Sequence, residues 1–433
     1  MAVKYYAVLG RKGSRRKYNY FASTWGLSQR PPTFRKLRAW EAALPQHNLE
    51  LPFPEGKTGR YVKFSNQASQ IGWNNCFNEV LMNAHLAYIS KRAYVFQDYV
   101  WSPTHYPWPK SNWLEDYPRT PLPAIVSGPV AGGPFDSNDT APRSVSSAWF
   151  DVVCPPDQRR YINTREVKPA VAGADGIEVL THWQHVLLAA PERCIEITFD
   201  LGLWGSPRLL STWDSFSASP MSRLLGPSPI VGAAVDRNTH LFRPRGPRPP
   251  HPAPRDPFAR MLAMHLRRGD YEGHCRWMTY INMVFYSWNL FPFLPDRFVS
   301  DPDGAEKDDR FLERCWPNIT AIVEKAAQSR RDYLAHAADA GLSRTLDVMY
   351  ILTNEKGEWI DKLKNGLNDD GWVISSSEEL TLDAEQKDVS MAVDMEIARR
   401  AAVFIGNGWS SFTSNIVHQR LVDGRDPITI RFT

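Results

Sequence analysis

Three short stretches carry residue types that could do chemistry. The first is Met264-His265-Leu266-Arg267-Arg268-Gly269-Asp270. An apolar run from Ala259 to Leu266 ends there, so a strand would deliver a histidine and two arginines to its carboxyl end, where parallel α/β sheets bind ligands. Arginine suits a diphosphate because its planar guanidinium donates paired hydrogen bonds and keeps its charge. The same residues are also compatible with a surface turn holding a local ion pair. The second stretch is Phe404-Ile405-Gly406-Asn407-Gly408-Trp409-Ser410-Ser411-Phe412-Thr413. A buried strand breaks at two glycines, and hydroxyl residues then open a helix. Helix N-termini present unpaired N–H groups and the positive end of the dipole, which together attract phosphate. Plain helix capping by Ser or Thr explains the pattern equally well. The third stretch, Gly72-Trp73-Asn74-Asn75, is a glycine turn opening a helix, and by itself it only connects strand to helix.

The elements that position these stretches alternate. Tyr61–Phe64 reads as a strand. Helical spacing of Phe77, Val80, Leu81, Ala84 and Tyr88 predicts a helix over 76–90, and Ala93–Phe96 a second strand. This is a βαβ unit. Residues 100–175 are dense in Pro, Gly and Trp and read as a loop-rich insertion, whose aromatic loops suit carbohydrate or peptide contact or simple packing. Signals resume over 176–225. The alternation restarts after 258: helices over 277–290 and 311–340, a strand over 347–352, a helix over 358–364, a strand over 371–374, a helix over 389–400, a strand over 402–406 and a helix over 411–419. The division predicted is a polar leader (1–58, with a helical piece at 34–43), an N-terminal Rossmann-like domain (59–243), a Pro-rich linker (244–257) and a C-terminal Rossmann-like domain (258–433). A length of 433 residues accommodates two such cores.

Composition excludes several classes. The net charge of +4 is weak and dispersed. The cluster of Arg11, Lys12, Arg15, Arg16 and Lys17 lies in an aperiodic leader and reads as a solvated tail, so no nucleic-acid partner is expected. No apolar run reaches the roughly 18 residues of a membrane span, and Met1–Tyr20 lacks a signal-peptide pattern. The expectation is either a soluble intracellular protein or loss of an upstream anchor. The five cysteines, Cys76, Cys154, Cys194, Cys275 and Cys315, include no C-x-x-C pair, and their odd number leaves at least one thiol free. Sequons stand at Asn138 and Asn318. Asp301, Asp303, Asp308 and Asp309 fall in a polar loop, with no D-x-D metal site evident.

Taken jointly, the glycine turn with its Asn, the mid-sequence H-x-R and the F-I-G-N-x-x-S-S-F-T stretch resemble the three motifs of the protein O-fucosyltransferases, closest to the branch that modifies EGF-like repeats. There too H-L-R is followed by an acid and a Cys, as Asp270 and Cys275 stand here. Met349-Tyr350-Ile351-Leu352-Thr353-Asn354 parallels the family strand before the nucleotide loop. The resemblance implies a GT-B fold with two Rossmann-like domains facing a cleft. It also implies inverting, metal-independent transfer of fucose from GDP-fucose to a hydroxyl, on a Ser or Thr of a protein or on a glycan. Arg267 would contact the β-phosphate and glycosidic oxygen, and Asn75 would help orient the reacting groups. His265 and Asp394 would lie beside the nucleotide, with Asp394, ten residues before Phe404 as in the family, taking the N1–H and N2–H₂ edge of guanine. Ser410, Ser411, Phe412 and Thr413 would hold the diphosphate, and Gly72, Trp73 and Asn74 would form the N-terminal part of the donor site. A related branch carries a glutamate base where Ile71 stands, so Glu272 and His274 are the candidates for proton removal. Trp73 replaces the residues usual in that turn, which bears on the acceptor groove. The family works in the secretory lumen, where Cys275 with Cys315 is the first disulfide to test. Relatives sharing the H-x-R arrangement transfer rhamnose or elongate glycans, and a nucleotide-sugar-binding protein without turnover is the alternative from another class.

Overall fold

The computed structural model describes residues 31–65, 71–113, 117–198, 204, 206–243, 256–269, 271–299 and 307–433. The basic leader cluster, Asp270, Asp301, Asp303 and most of the Pro-rich stretch (244–255) lie outside them. The protein forms two compact units. One holds residues 31–233 and the later segment Leu382–Ala392; the other holds Ala234–Thr381 and Val393–Thr433.

The N-terminal unit is built on a parallel sheet of five strands in the order Val145–Ser146, Ala93–Phe96, Tyr61–Phe64, Cys194–Thr198, Arg159–Asn163. The strands at 61–64 and 93–96 have the predicted bounds. The helix between them runs Trp73–Ile89, three residues earlier than its apolar spacing indicates, because Gly72 serves as its N-cap. Phe77, Val80, Leu81 and Ala84 are buried, and so are Cys76, Met82, Leu86 and Ala87 on its other sides. A helix buried nearly all round belongs to a core layer.

The segment expected to be an insertion supplies both edge strands of this sheet. Val145–Ser146 is only two residues long, and along Arg159–Asn163 only Ile162 is buried, so neither has a strand-like apolar pattern. A disulfide between Cys154 and Cys194 fastens this segment to the sheet. Residues 34–58 are also packed. The helix Phe34–Ala42 buries Leu37, and Gln46 donates to the carbonyls of Gly132 and Ser144 at 3.0 and 2.8 Å.

The C-terminal unit has a second parallel five-stranded sheet, ordered Val373–Ser376, Val348–Thr353, Met261–Leu266, Val403–Gly406, Ile430–Phe432. In sequence order this is 3-2-1-4-5, so the winding direction reverses between Met261–Leu266 and Val403–Gly406, and ligands bind beyond the strand ends at such a reversal. The two central strands are buried throughout, as the near-continuous apolar runs of a two-sided parallel sheet require. Two helices differ from expectation. The helix placed at 277–290 spans Tyr271–Tyr280 and stops where Asn282 adopts φ of 52°. The one placed at 311–340 is two helices, Lys307–Cys315 and Ile319–Asp339. Pro317 interrupts them, and the sequon residue Asn318 caps the second by accepting from the Ala321 N–H at 2.9 Å.

Candidate active site

The C-terminal unit gathers most of the predicted residues at its strand reversal. His265 is the penultimate residue of the central strand and is 7% exposed. Its Nδ1 lies 3.1 Å from the Thr413 hydroxyl, and its ring sits 4.6 Å from that of Phe412. Burial, with the Arg267 charge as a second cause, pushes its pKa down to about 3. The imidazole is therefore neutral at physiological pH and acts as a hydrogen-bonding wall, not as an acid.

The two arginines part company. Side chains alternate along an extended strand end, so Arg267 shares a face with His265 while Arg268 takes the other. Arg267 is half-buried, its guanidinium 5.2 Å from the ring centre of Tyr271. Arg268 is buried between Trp316 and Trp359, at 3.7 and 4.1 Å from their ring centres. It donates to the Pro317 carbonyl at 3.1 Å and lies 3.9 Å from Glu355. Arg268 therefore supports the turn, and Arg267 alone of the pair is left at the site, correcting the expectation that both arginines enter the crevice. The backbone of Arg268 is held by Asn354, whose Oδ1 accepts from its N–H and whose Nδ2 donates to its carbonyl, each at 3.0 Å.

Across the reversal, the glycine-broken stretch packs closely. A Cβ on Gly406 would come within 2.3 Å of the Thr413 methyl, so the glycine is what lets Thr413 reach His265. A Cβ on Gly408 would meet the Phe285 ring at 2.3 Å. Asn407 is structural: Nδ2 donates to the Cys315 carbonyl at 2.8 Å and Oδ1 accepts from Trp409 N–H at 3.0 Å. Trp409 itself is buried against Phe285, Phe298 and Phe311. Ser410 is the N-cap of the helix Ser411–Val422, its hydroxyl accepting from the Phe412 N–H at 3.2 Å. Ser411 and Phe412 remain half-buried at the helix opening. The disulfide Cys275–Cys315, the pair singled out from the sequence, ties the helix after Arg267 to the residue that holds Asn407.

Asp394 lies in the helix Ser390–Arg400. Tyr350 OH donates to its Oδ1 at 2.6 Å and Ser377 Oγ to its Oδ2 at 2.9 Å. Burial pushes its carboxyl up to about 6, and these two hydrogen bonds pull the other way. A carboxylate offers about four lone-pair sites, so two remain for a ligand. Sequence reasoning missed Tyr350 and Ser377 as orienting partners, since neither has a fixed spacing from Asp394.

The Gly72–Asn75 turn belongs to the N-terminal unit. Asn75 is exposed on the first helical turn, and Asn74 is half-buried. Trp73 is 3% exposed, stacked on Phe77 at 5.0 Å and edge-on to Tyr99 at 5.1 Å. It is a core residue, which corrects its assignment to the nucleotide or the acceptor groove. One turn beyond Asn75, burial pushes the Glu79 carboxyl up to about 7 against a hydrogen bond from the Trp204 backbone. Nothing in its spacing distinguished it from an ordinary helix glutamate. Of the proposed bases, Glu272 pairs with Arg276 at 2.9 Å, and His274 stacks on Trp277 with its ring tilted against Tyr271. Cys76 is a buried free thiol.

Among the described residues, no group of three or more His, Cys, Asp or Glu could hold a metal ion, and no helix is long and apolar enough to cross a membrane. No protein-family model matches the sequence, and no curated protein matches it. Solved structures do. POFUT1 in complex with GDP-fucose is similar with a TM-score of 0.53 at 14% identity, over 86% of this protein and 97% of that one. Its apo form gives 0.51 at 13%, over 83% and 94%, and a complex with GDP gives 0.51 at 15%, over 86% and 98%. The fold is thus α/β, with the architecture of the POFUT1 structures.

Proposed function

We propose that this protein is an inverting, metal-independent glycosyltransferase that moves fucose from GDP-fucose to a hydroxyl, on a Ser or Thr of a protein. The observation that carries the reading is the juxtaposition at the strand reversal. One arginine, Arg267, stands beside a neutral His265 that touches Thr413, at the opening of the helix capped by Ser410. That arrangement is a cradle for a diphosphate with a cation at its leaving end. Similarity in fold to a protein crystallised with GDP-fucose supports the choice of donor.

In this reading the helix opening at Ser410, Ser411, Phe412 and Thr413 takes the diphosphate, and Asp394 accepts from the guanine N1–H and N2–H₂. The bond from fucose C1 to the β-phosphate oxygen breaks, and its electron pair leaves with GDP. Arg267 stabilises that charge as it develops, and its rigid fork is set before the bond breaks. The acceptor oxygen joins C1 from the opposite face, and its proton passes to the departing GDP, whose β-phosphate oxygen has gained the electron pair, or to water. Asn75, with Gly72 and Asn74 beside it, keeps the orienting role that its motif's resemblance implies.

The test is thermal stabilisation by nucleotides in EDTA, followed by turnover. GDP and GDP-fucose should raise the Tm and UDP should not. Arg267→Ala should lose about 10²–10³-fold in turnover, measured as GDP-fucose hydrolysis, as expected for removing a preorganised charge donor. GDP binding should persist in the variant. Stabilisation by UDP alone, or full turnover in Arg267→Ala, would sink the proposal.

A further inference from the structure

We infer that Asn354 is a positioning residue for Arg267, acting through the backbone of the turn between them; the inference rests on the transferase reading above. Leu266 and Thr353 are the last paired residues of two neighbouring parallel strands. Arg267 and Asn354 each stand one residue beyond. There the backbone ladder stops, and a strand end is ordinarily free to fray. Here the Asn354 amide continues the ladder. It is chemically a peptide unit, with one carbonyl and one N–H₂. It uses both on the same residue, accepting from Arg268 N–H and donating to Arg268 C=O at 3.0 Å each.

The other side of the turn is closed as well. Gly269 has φ of +67°, and a Cβ there would lie 3.1 Å from Asn354 Nδ2, so the glycine is what lets the amide come this near. The Arg268 guanidinium is immobilised between two indoles and by the Pro317 carbonyl. Arg267 is consequently bounded by a ladder residue before it and, after it, by a residue fixed at both backbone and guanidinium. A cation that must meet a developing charge gains its advantage from being placed beforehand. Asparagine alone fits: aspartate accepts without donating, alanine does neither, and glutamine is one methylene too long.

The experiment is a double-mutant cycle on the intact protein. Asn354→Ala and Arg267→Ala are made singly and together, with Asn354→Asp as the conservative variant. For each, kcat and KM for GDP-fucose hydrolysis, the Kd for GDP and the Tm are measured. Asn354→Ala should lower kcat about tenfold to a hundredfold, the scale of an ångström-sized misplacement, with the Kd for GDP held within about threefold. In the Arg267→Ala background the same substitution should cost nothing further, because the group it positions is gone. Asn354→Asp, which keeps the acceptor for Arg268 N–H, should recover part of kcat, and it carries the test if the alanine variant does not fold. An unchanged kcat in Asn354→Ala, or an undiminished loss in the Arg267→Ala background, would overturn the inference while leaving the transferase reading standing. A wild-type protein that neither binds GDP nor hydrolyses GDP-fucose would overturn both.

Discussion

Replacing Asp394 by asparagine should move stability and donor affinity in opposite directions. The carboxyl stands at about 6 instead of 3.8 because burial penalises its charge more than Tyr350 and Ser377 stabilise it. That rise corresponds to about 3 kcal/mol against the charged form at neutral pH. The sign follows from linkage: a carboxyl raised in the folded state binds its proton more tightly there. Its contribution to stability therefore grows as pH falls from about 6 towards 4, and above 6 the buried charge is a net liability. An asparagine keeps both hydrogen bonds, accepting from Tyr350 and donating to the Ser377 hydroxyl, and carries no charge. Asp394→Asn should thus raise the Tm at pH 8. Its amide, however, offers no anionic acceptor to guanine, and loss of a charged hydrogen bond of about 1.5–3 kcal/mol weakens GDP-fucose by at least about tenfold.

The wild-type pH profile gives an independent reading. If only the carboxylate form binds guanine, the apparent Kd is the intrinsic one divided by the ionised fraction, which is about one in eleven at pH 5 and nearly one at pH 8. Calorimetric titration with GDP-fucose should show an affinity about tenfold lower at pH 5, and the Asp394→Asn profile should be flat. GDP-fucose is the ligand of choice because its diphosphate, esterified at both ends, does not titrate in this window. His265, at about 3, and Tyr350, raised well above 10, are silent in it too. A flat wild-type profile, or wild-type affinity in Asp394→Asn, would refute the guanine contact.

Three further outcomes are expected. Gly408→Ala forces a methyl into the Phe285 ring and should destabilise the fold by about 1–3 kcal/mol, read as a lower Tm in a thermal melt. Cys275→Ser opens a bridge spanning 40 residues and should lose up to about 4 kcal/mol by loop entropy; chemical denaturation checks it, and an unchanged midpoint would mean the bridge constrains nothing. Turnover of GDP-fucose should be the same in EDTA as in buffer with added magnesium or manganese, and activity that disappears in EDTA and returns with either ion would exclude metal-free catalysis.

Much of the scaffold was legible locally. Tyr61–Phe64 and Ala93–Phe96 have their predicted bounds because fully buried strands are short apolar runs that stand out against polar neighbours. The edge strands at 145–146 and 159–163 were not, since an edge strand two residues long, or one mostly facing water, has no such contrast. The eleven residues Leu382–Ala392 show the same limit at larger scale. They lie between elements of the C-terminal unit in sequence but pack with the N-terminal unit, through Glu385 to Phe34 N–H and Asp388 to Tyr106. No local composition encodes that return.

The candidate site divides along the same line. Sequence by itself determined which residues stand where a strand gives way to a turn: His265 and Arg267 after one apolar run, Ser410 to Thr413 after another. Those positions follow from periodicity and from the glycines that end each run. Tertiary structure decided what each then does. Arg268 enters an indole cage while its neighbour stays at the site, and Trp73 stacks into a core instead of facing a ligand. Asp394 acquires its raised carboxyl from burial, with Tyr350 and Ser377 opposing it. The partners of Asp394 and Arg268 in those contacts stand 17 to 91 positions away. Their energies depend on distance and desolvation in the folded protein, which no spacing in the sequence records.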